Sequence, residues 1–174
     1  MEHNPMKALA QSIFISEIVK QAKIAGRAAA RLPAPNNDFD EIEVWCSIQS
    51  ILVAAGNVSK ILWPSQKYKM RGKMLRTLLS VDDSNPLSDR NFRNHFEHYD
   101  ERIEDWFKKN LSAVYTDSII DPLESMRMFK SAKHHRAYDP LTKMLKFRGE
   151  SLNFADLLSA LEEIRHKCRP YVLP

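Results

Sequence analysis

Apolar residues recur every three or four positions through most of this chain, and prolines or short polar clusters interrupt the recurrence at a few places. That spacing belongs to helices with one apolar face, and such helices can only hide their faces against one another. From Pro5 to about Leu32, Ala8, Ile13, Ile15, Ile18, Val19, Ala22, Ala25 and Ala29 predict a first long helix, ended by Pro33-Ala34-Pro35. Asn36-Asn37-Asp38 supplies caps for a second, in which Ile42, Trp45, Ile48, Leu52, Ala55, Val58 and Leu62 recur until Pro64-Ser65. A third runs from about Ser65 to Leu79, with Tyr68, Leu75, Leu78 and Leu79 beside a basic face. After the turn-rich Ser80 to Pro86, Ser88 or Asp89 caps a fourth helix, whose Phe92, Phe96, Tyr99, Ile103 and Trp106 or Phe107 form one stripe.

The pattern changes between about residues 110 and 153. Segments starting at Ser125, His134 and Thr142 alternate rather than follow a helical period, and Arg148-Gly149-Glu150 has turn character, so two or three short strands or an extended excursion are expected. Asn153 then opens a last helix with Leu157, Leu158, Leu161, Ile164 and Cys168 inward and Asp156 at its third position, near the unpaired amides. The fold class is therefore all-α or predominantly α. It is a helical bundle with a small extended or β-hairpin insertion before the last helix. A length of 174 residues suits one core, so residues 1–174 are read as one domain with a basic insertion at about 110–153.

Composition narrows the function classes. Four glycines disfavour cofactor sites built on glycine-rich loops, and no cofactor is expected. No apolar run approaches the roughly 20 residues that cross a bilayer, and the N-terminal residues lack a signal-like apolar core, which predicts a cytoplasmic protein without a membrane partner. Cys46 and Cys168 fall in apolar helical patterns and read as buried thiols. Trp45, Trp63 and Trp106 read as core or dimer-contact residues. His134-His135 and the pair His95 and His98 lack further ligands at convincing spacing, so no metal site is expected.

The segment Arg93-Asn94-His95-Phe96-Glu97-His98 carries the chemistry. Asn94 and His98 are four residues apart and share a helix face; Arg93 is offset by roughly 140° from His98, yet its long side chain can bend toward the imidazole. A guanidinium and an imidazole on rigid backbone form a pair that reads anions. Imidazole can move a proton at neutral pH, taking it from a ribose 2′-hydroxyl that attacks the adjacent phosphorus or delivering it to the departing 5′-oxygen. Arginine can stabilise charge on the phosphate, and Asn94 can orient the phosphate or the imidazole. One histidine does not easily serve both ends of that reaction, whereas two copies of this helix across a two-fold axis would line one cleft with two His98 and two Arg93 residues.

Arg93-Asn94 followed by three residues and His98 resembles the signature of the HEPN superfamily. The resemblance covers the motif and the helices from about residue 8 to 109. It implies a HEPN-like bundle, commonly a homodimer, and often a metal-independent ribonuclease of toxin–antitoxin or other defence systems. It further implies that Arg93 and His98 are catalytic, supported by Asn94, with RNA and an antitoxin protein as partners. The rival reading is a noncatalytic helical interaction or nucleic-acid-binding module, in which Arg93 and His98 join surface ion pairs with the acids crowding the same helix.

A net charge of +4 is too mild to indicate nucleic acid, so its distribution matters more. Lys60, Lys67, Lys69, Arg71, Lys73 and Arg76 form a run without an acid, and Arg127, Lys130, Lys133, Arg136, Lys143, Lys146 and Arg148 form another. Each is either a phosphate-binding surface or a solvated face. Tyr138 and Phe147, inside the second run, are candidates for stacking on unpaired bases or for the core.

Overall fold

The computed structural model describes residues 8–34, 38–89, 94, 96–109, 115–120, 135–148 and 150–172. Five helices are described: α1 Ala8–Ala29, α2 Glu41–Leu62, α3 Lys69–Leu78, α4 Tyr99–Lys109 and α5 Phe154–Cys168. Four short strands are described between α4 and α5: β1 Ile119–Ile120, β2 Arg136–Asp139, β3 Met144–Phe147 and β4 Glu150–Asn153. The fold is thus predominantly α-helical, with a small open sheet before the last helix.

The central element is α2. Asp40 caps it, accepting hydrogen bonds from the Ile42 and Glu43 amides at 2.8 and 3.4 Å, and Glu41 and Glu43 add negative charge to the first turn. The cap therefore falls two residues after Asp38. Asp40 directly precedes the periodic run and has the extended backbone that a cap requires. Beyond its first turn only a narrow stripe of α2 meets solvent, with α1, α3 and the 86–88 turn packed against its other faces. Its length and composition would also allow it to cross a membrane, but 61% of the relevant window is buried within the fold.

The α1 helix lies along α2 and touches α5, burying Ile15, Ile18, Gln21, Ala22, Ala25 and Ala28. Small residues on that face let the helices approach closely. Each fully buried isoleucine contributes about 1.5–3 kcal/mol relative to exposure. Ile13, expected inside, is 59% exposed, since it lies about 200° around the helix from Ile15. A single 3-10 turn, Gln66–Tyr68, precedes α3, and Tyr68 is exposed rather than part of the buried face.

On the fourth helical stretch, Asn94, Phe96 and Glu97 are helical, and a turn at His98 leads into α4. The His98 amide bonds the Asn94 carbonyl at 3.0 Å, and the Arg102 amide bonds the His98 carbonyl at 3.1 Å, so the helical ladder runs through the turn. Phe96 and Tyr99 pack on the core; Trp106 is 3% exposed and Phe107 is 50% exposed, which selects Trp106 for the stripe.

In the sheet, β1 pairs parallel with β2, and β2, β3 and β4 follow as antiparallel neighbours. The β2 and β3 strands fall within the alternating segments beginning at His134 and Thr142, while the segment beginning at Ser125 lies outside the described residues. Asp139 closes the β2–β3 turn by accepting from the Leu141 amide at 2.9 Å and from the Thr142 hydroxyl. Arg148, with φ 51°, begins the β3–β4 turn. Asn153 caps α5 through the Ala155 amide at 2.8 Å, as its position predicts.

Tyr138 and Phe147 are buried at 1% and 0% exposure. Their rings join Phe154 and Phe96 at centroid distances of 5.8 and 5.5 Å, so they are core residues rather than base-stacking platforms. Trp45 is buried with them. Cys168 is fully buried, and burial pushes its thiol up to about 11. Cys46 is exposed instead, because it falls on the solvent stripe of α2 between the buried Trp45 and Ser47.

Candidate functional site

Of the motif residues, Asn94 and His98 are among the described residues and Arg93 lies outside them. Asn94 is half-buried and His98 sits one helical turn further on, tied to it by the backbone bond. The His98 side chain is 52% exposed, and its Nδ1 lies 3.4 Å from a Glu101 carboxylate oxygen. Nε2 has no partner among the described residues.

The acids around His98 are sorted by their own contacts. Glu97 pairs with Lys60 at 2.6 Å, across from α2. Glu104 is 3.5 Å from Lys108, and Asp105 lies 3.8 and 3.9 Å from Arg102 and Arg148. Among the described residues Glu101 alone addresses the imidazole. Its position suits it to orient the ring.

A second polar cluster was not visible in the sequence. Asp117 accepts from Arg136 Nε at 2.9 Å and Nη2 at 2.6 Å, and from the Tyr99 hydroxyl at 2.8 Å. Arg136 Nη2 also reaches Ser118 Oγ at 3.0 Å. The guanidinium lies over the Tyr99 and Trp45 rings at 4.2 and 5.1 Å. Burial alone would raise the Asp117 carboxyl, but the bonds from Arg136 and Tyr99 outweigh it and hold the group below the usual carboxylate range. Burial, followed by the bonds to Tyr115 and Asp117, pushes the Tyr99 hydroxyl well above its ordinary value. Beside them His135 is fully enclosed, with the rings of Phe147, Tyr99 and Tyr115 at 4.9, 5.3 and 5.7 Å. This cluster ties α4, the 115–118 segment and β2 together. It fixes the backbone that carries His98.

The basic runs divide in the same way. Arg76 pairs with Asp83 at 2.8 Å and donates to the Leu62 carbonyl at 2.5 Å; Arg71 donates to the Lys60 carbonyl at 3.2 Å and lies over the Phe14 and Tyr68 rings. Both hold the α2–α3 junction. Lys67, Lys69 and Lys73 are exposed. Of the second run, Arg127, Lys130 and Lys133 lie outside the described residues, and Arg136 is consumed by Asp117.

Between α2 and the 96–99 segment lies a cavity of about 340 Å³, lined by Leu52, Val53, Lys60, Phe96, Tyr99, Arg136 and their neighbours. Asn94 and His98 do not line it. Among the described residues no group of three or more histidine, cysteine, aspartate or glutamate side chains is placed to hold a metal; His95 and His134 lie outside them. Comparison with protein-family models, curated proteins and solved structures gives no match to this chain.

Proposed function

We propose that this protein is a HEPN-type endoribonuclease that acts as a cytoplasmic homodimer and cleaves RNA without a metal. The observation that carries the reading is the placement of His98: half-exposed, one turn beyond Asn94, with a Glu101 carboxylate oxygen 3.4 Å from its Nδ1. In this mechanism one His98 accepts the proton of the ribose 2′-hydroxyl as its oxygen bonds to phosphorus. The P–O5′ bond breaks, and a second His98 from the symmetry-related subunit protonates the departing oxygen. Arg93 pairs with the phosphate oxygens as charge develops, and Asn94 orients the phosphate or the ring. An antitoxin covering His98 would restrain the activity.

The products define the test. With single-stranded RNA and a chelator present, fragments should carry 2′,3′-cyclic phosphates and free 5′-hydroxyls. Fragments with 3′-hydroxyls, or cleavage abolished by the chelator, overturn the mechanism. Dimerisation or RNA binding without cleavage would establish the rival reading of a noncatalytic interaction module.

A further inference from the structure

The outward face of α1 carries apolar and basic side chains along one line. Leu9, Ile13, Ser16, Lys20, Lys23 and Arg27 are all exposed and alternate at spacings of four and three residues. That alternation is the seam along which a second helix packs on a first. At roughly 100° per residue all six lie within about 60° of Lys20, and the stripe runs for about 27 Å at ~1.5 Å per residue. Leu9 is 73% exposed and Ile13 59%, and Ile24, 41% exposed, flanks the stripe further on.

The two ends of this seam differ in chemistry. Leu9 and Ile13 make the N-terminal end apolar, whereas Lys20, Lys23 and Arg27 make the C-terminal end cationic. Glu17 is the one acid in α1 and lies 3.4 Å from Lys20. Lys23 and Arg27 have no ion pair or hydrogen-bonded side-chain partner among the described residues. With Ser16, Val19 and Ile24, the three cations border a shallow depression of about 380 Å³. A molecule covering this face must therefore bring apolar groups to one end and anions to the other.

That charge pattern selects among occupants. A second copy laid parallel would set cation against cation, and one laid antiparallel would set Leu9 and Ile13 against the cationic end. Helices that lie in a lipid surface separate their apolar and basic faces, whereas here Lys20 and Arg27 share the direction of Leu9 and Ile13. Nucleic acid would match the cations through its phosphates but offer nothing to two exposed aliphatic side chains. We propose that this face of α1 docks an acidic amphipathic helix of a partner protein. Its apolar side chains rest on Leu9 and Ile13, and carboxylates three or four residues apart meet Lys20, Lys23 and Arg27. None of these residues belongs to the catalytic set proposed above, so docking and RNA cleavage stand or fall separately.

The experiment is calorimetric titration of the intact chain with two synthetic helical peptides. Each carries leucine at the seam positions of one half and glutamate at those of the other, in opposite orders, to suit a parallel or an antiparallel partner. A third peptide has lysine in place of the glutamates, and phosphatidylglycerol vesicles and a single-stranded RNA are the competing arms. One acidic peptide should bind saturably, at least tenfold more tightly than the lysine peptide, and weaken as NaCl rises from about 0.05 to about 0.5 M. Lys23→Glu with Arg27→Glu should weaken it at least tenfold, and so should Leu9→Ser with Ile13→Ser. All four positions are exposed, so the helical circular dichroism should be kept. Saturable binding of neither acidic peptide overturns the proposal, as does an affinity that either double variant leaves unchanged. Tighter binding of the vesicles or of the RNA, lost in the charge-reversed variant, assigns the face to that partner and equally overturns it.

Discussion

Two glycines in helices should respond to alanine in opposite directions. Gly26, on the exposed side of α1, has nothing within 4 Å of where a Cβ would stand. Gly26→Ala should therefore gain only the helix-propensity difference, about 0.5–1 kcal/mol. Gly72, buried on α3, is different: a Cβ there would stand 2.4 Å from Pro64 Cδ and 2.6 Å from the Leu62 carbonyl oxygen. One obstacle is a rigid ring and the other is backbone, so no change of rotamer relieves them. The α3 helix must move off the end of α2, loosening Leu75, which is fully buried. Overpacking of this kind costs about 1–3 kcal/mol, and the severity of the contacts places it near the upper end. Set against a propensity gain of about 1 kcal/mol, the net result is destabilisation by about 1–2 kcal/mol. Urea denaturation reads both variants directly, with an unchanged m-value showing that the unfolding transition is the same. The corresponding thermal shifts are about 2–4 °C per kcal/mol for a chain of this size. The close packing described at the α2–α3 junction is refuted if Gly72→Ala is as stable as the parent or moves with Gly26→Ala.

The Asp117–Arg136 pair, with side chains 15% and 13% exposed, should lose about 3–5 kcal/mol of stability in Asp117→Ala, because a buried guanidinium is left without its carboxylate. Since the folded carboxyl is held below the usual value, its contribution is complete above about pH 4 and declines as pH falls through the lowered folded value; Asp117→Asn should flatten that acid limb in a pH series of denaturation curves. Under native conditions a thiol reagent should modify Cys46 rapidly and leave Cys168 protected until unfolding; mass spectrometry showing equal labelling would contradict the assigned burial.

The helices were legible because their packing is written at the helical period, and Asn153 was legible because its cap precedes a periodic run directly. Cys46 is exposed against expectation because periodicity within an apolar helix does not reveal which narrow stripe stays wet. The β2 and β3 strands could be read from alternation. β1 has only two residues, too few to carry a pattern, and β4 is half-exposed without one. The motif around His98 is local and could be found from spacing. The cluster of Tyr99, Asp117 and Arg136 joins residues 18 to 37 positions apart, a pairing that no single-segment pattern encodes. The same reason explains the basic runs: the acids that pair with Lys60 and Arg76 come from other segments, so a run without an internal acid is not a run of unpaired charge.

The central functional claim rests on proton transfer by His98. Its most direct test is the single-turnover RNA cleavage rate of His98→Ala beside the parent protein, with sedimentation measured on both. Loss of general acid–base catalysis predicts a fall of about 10²–10⁴-fold with the sedimentation unchanged. Cleavage that continues at the parental rate would contradict the account.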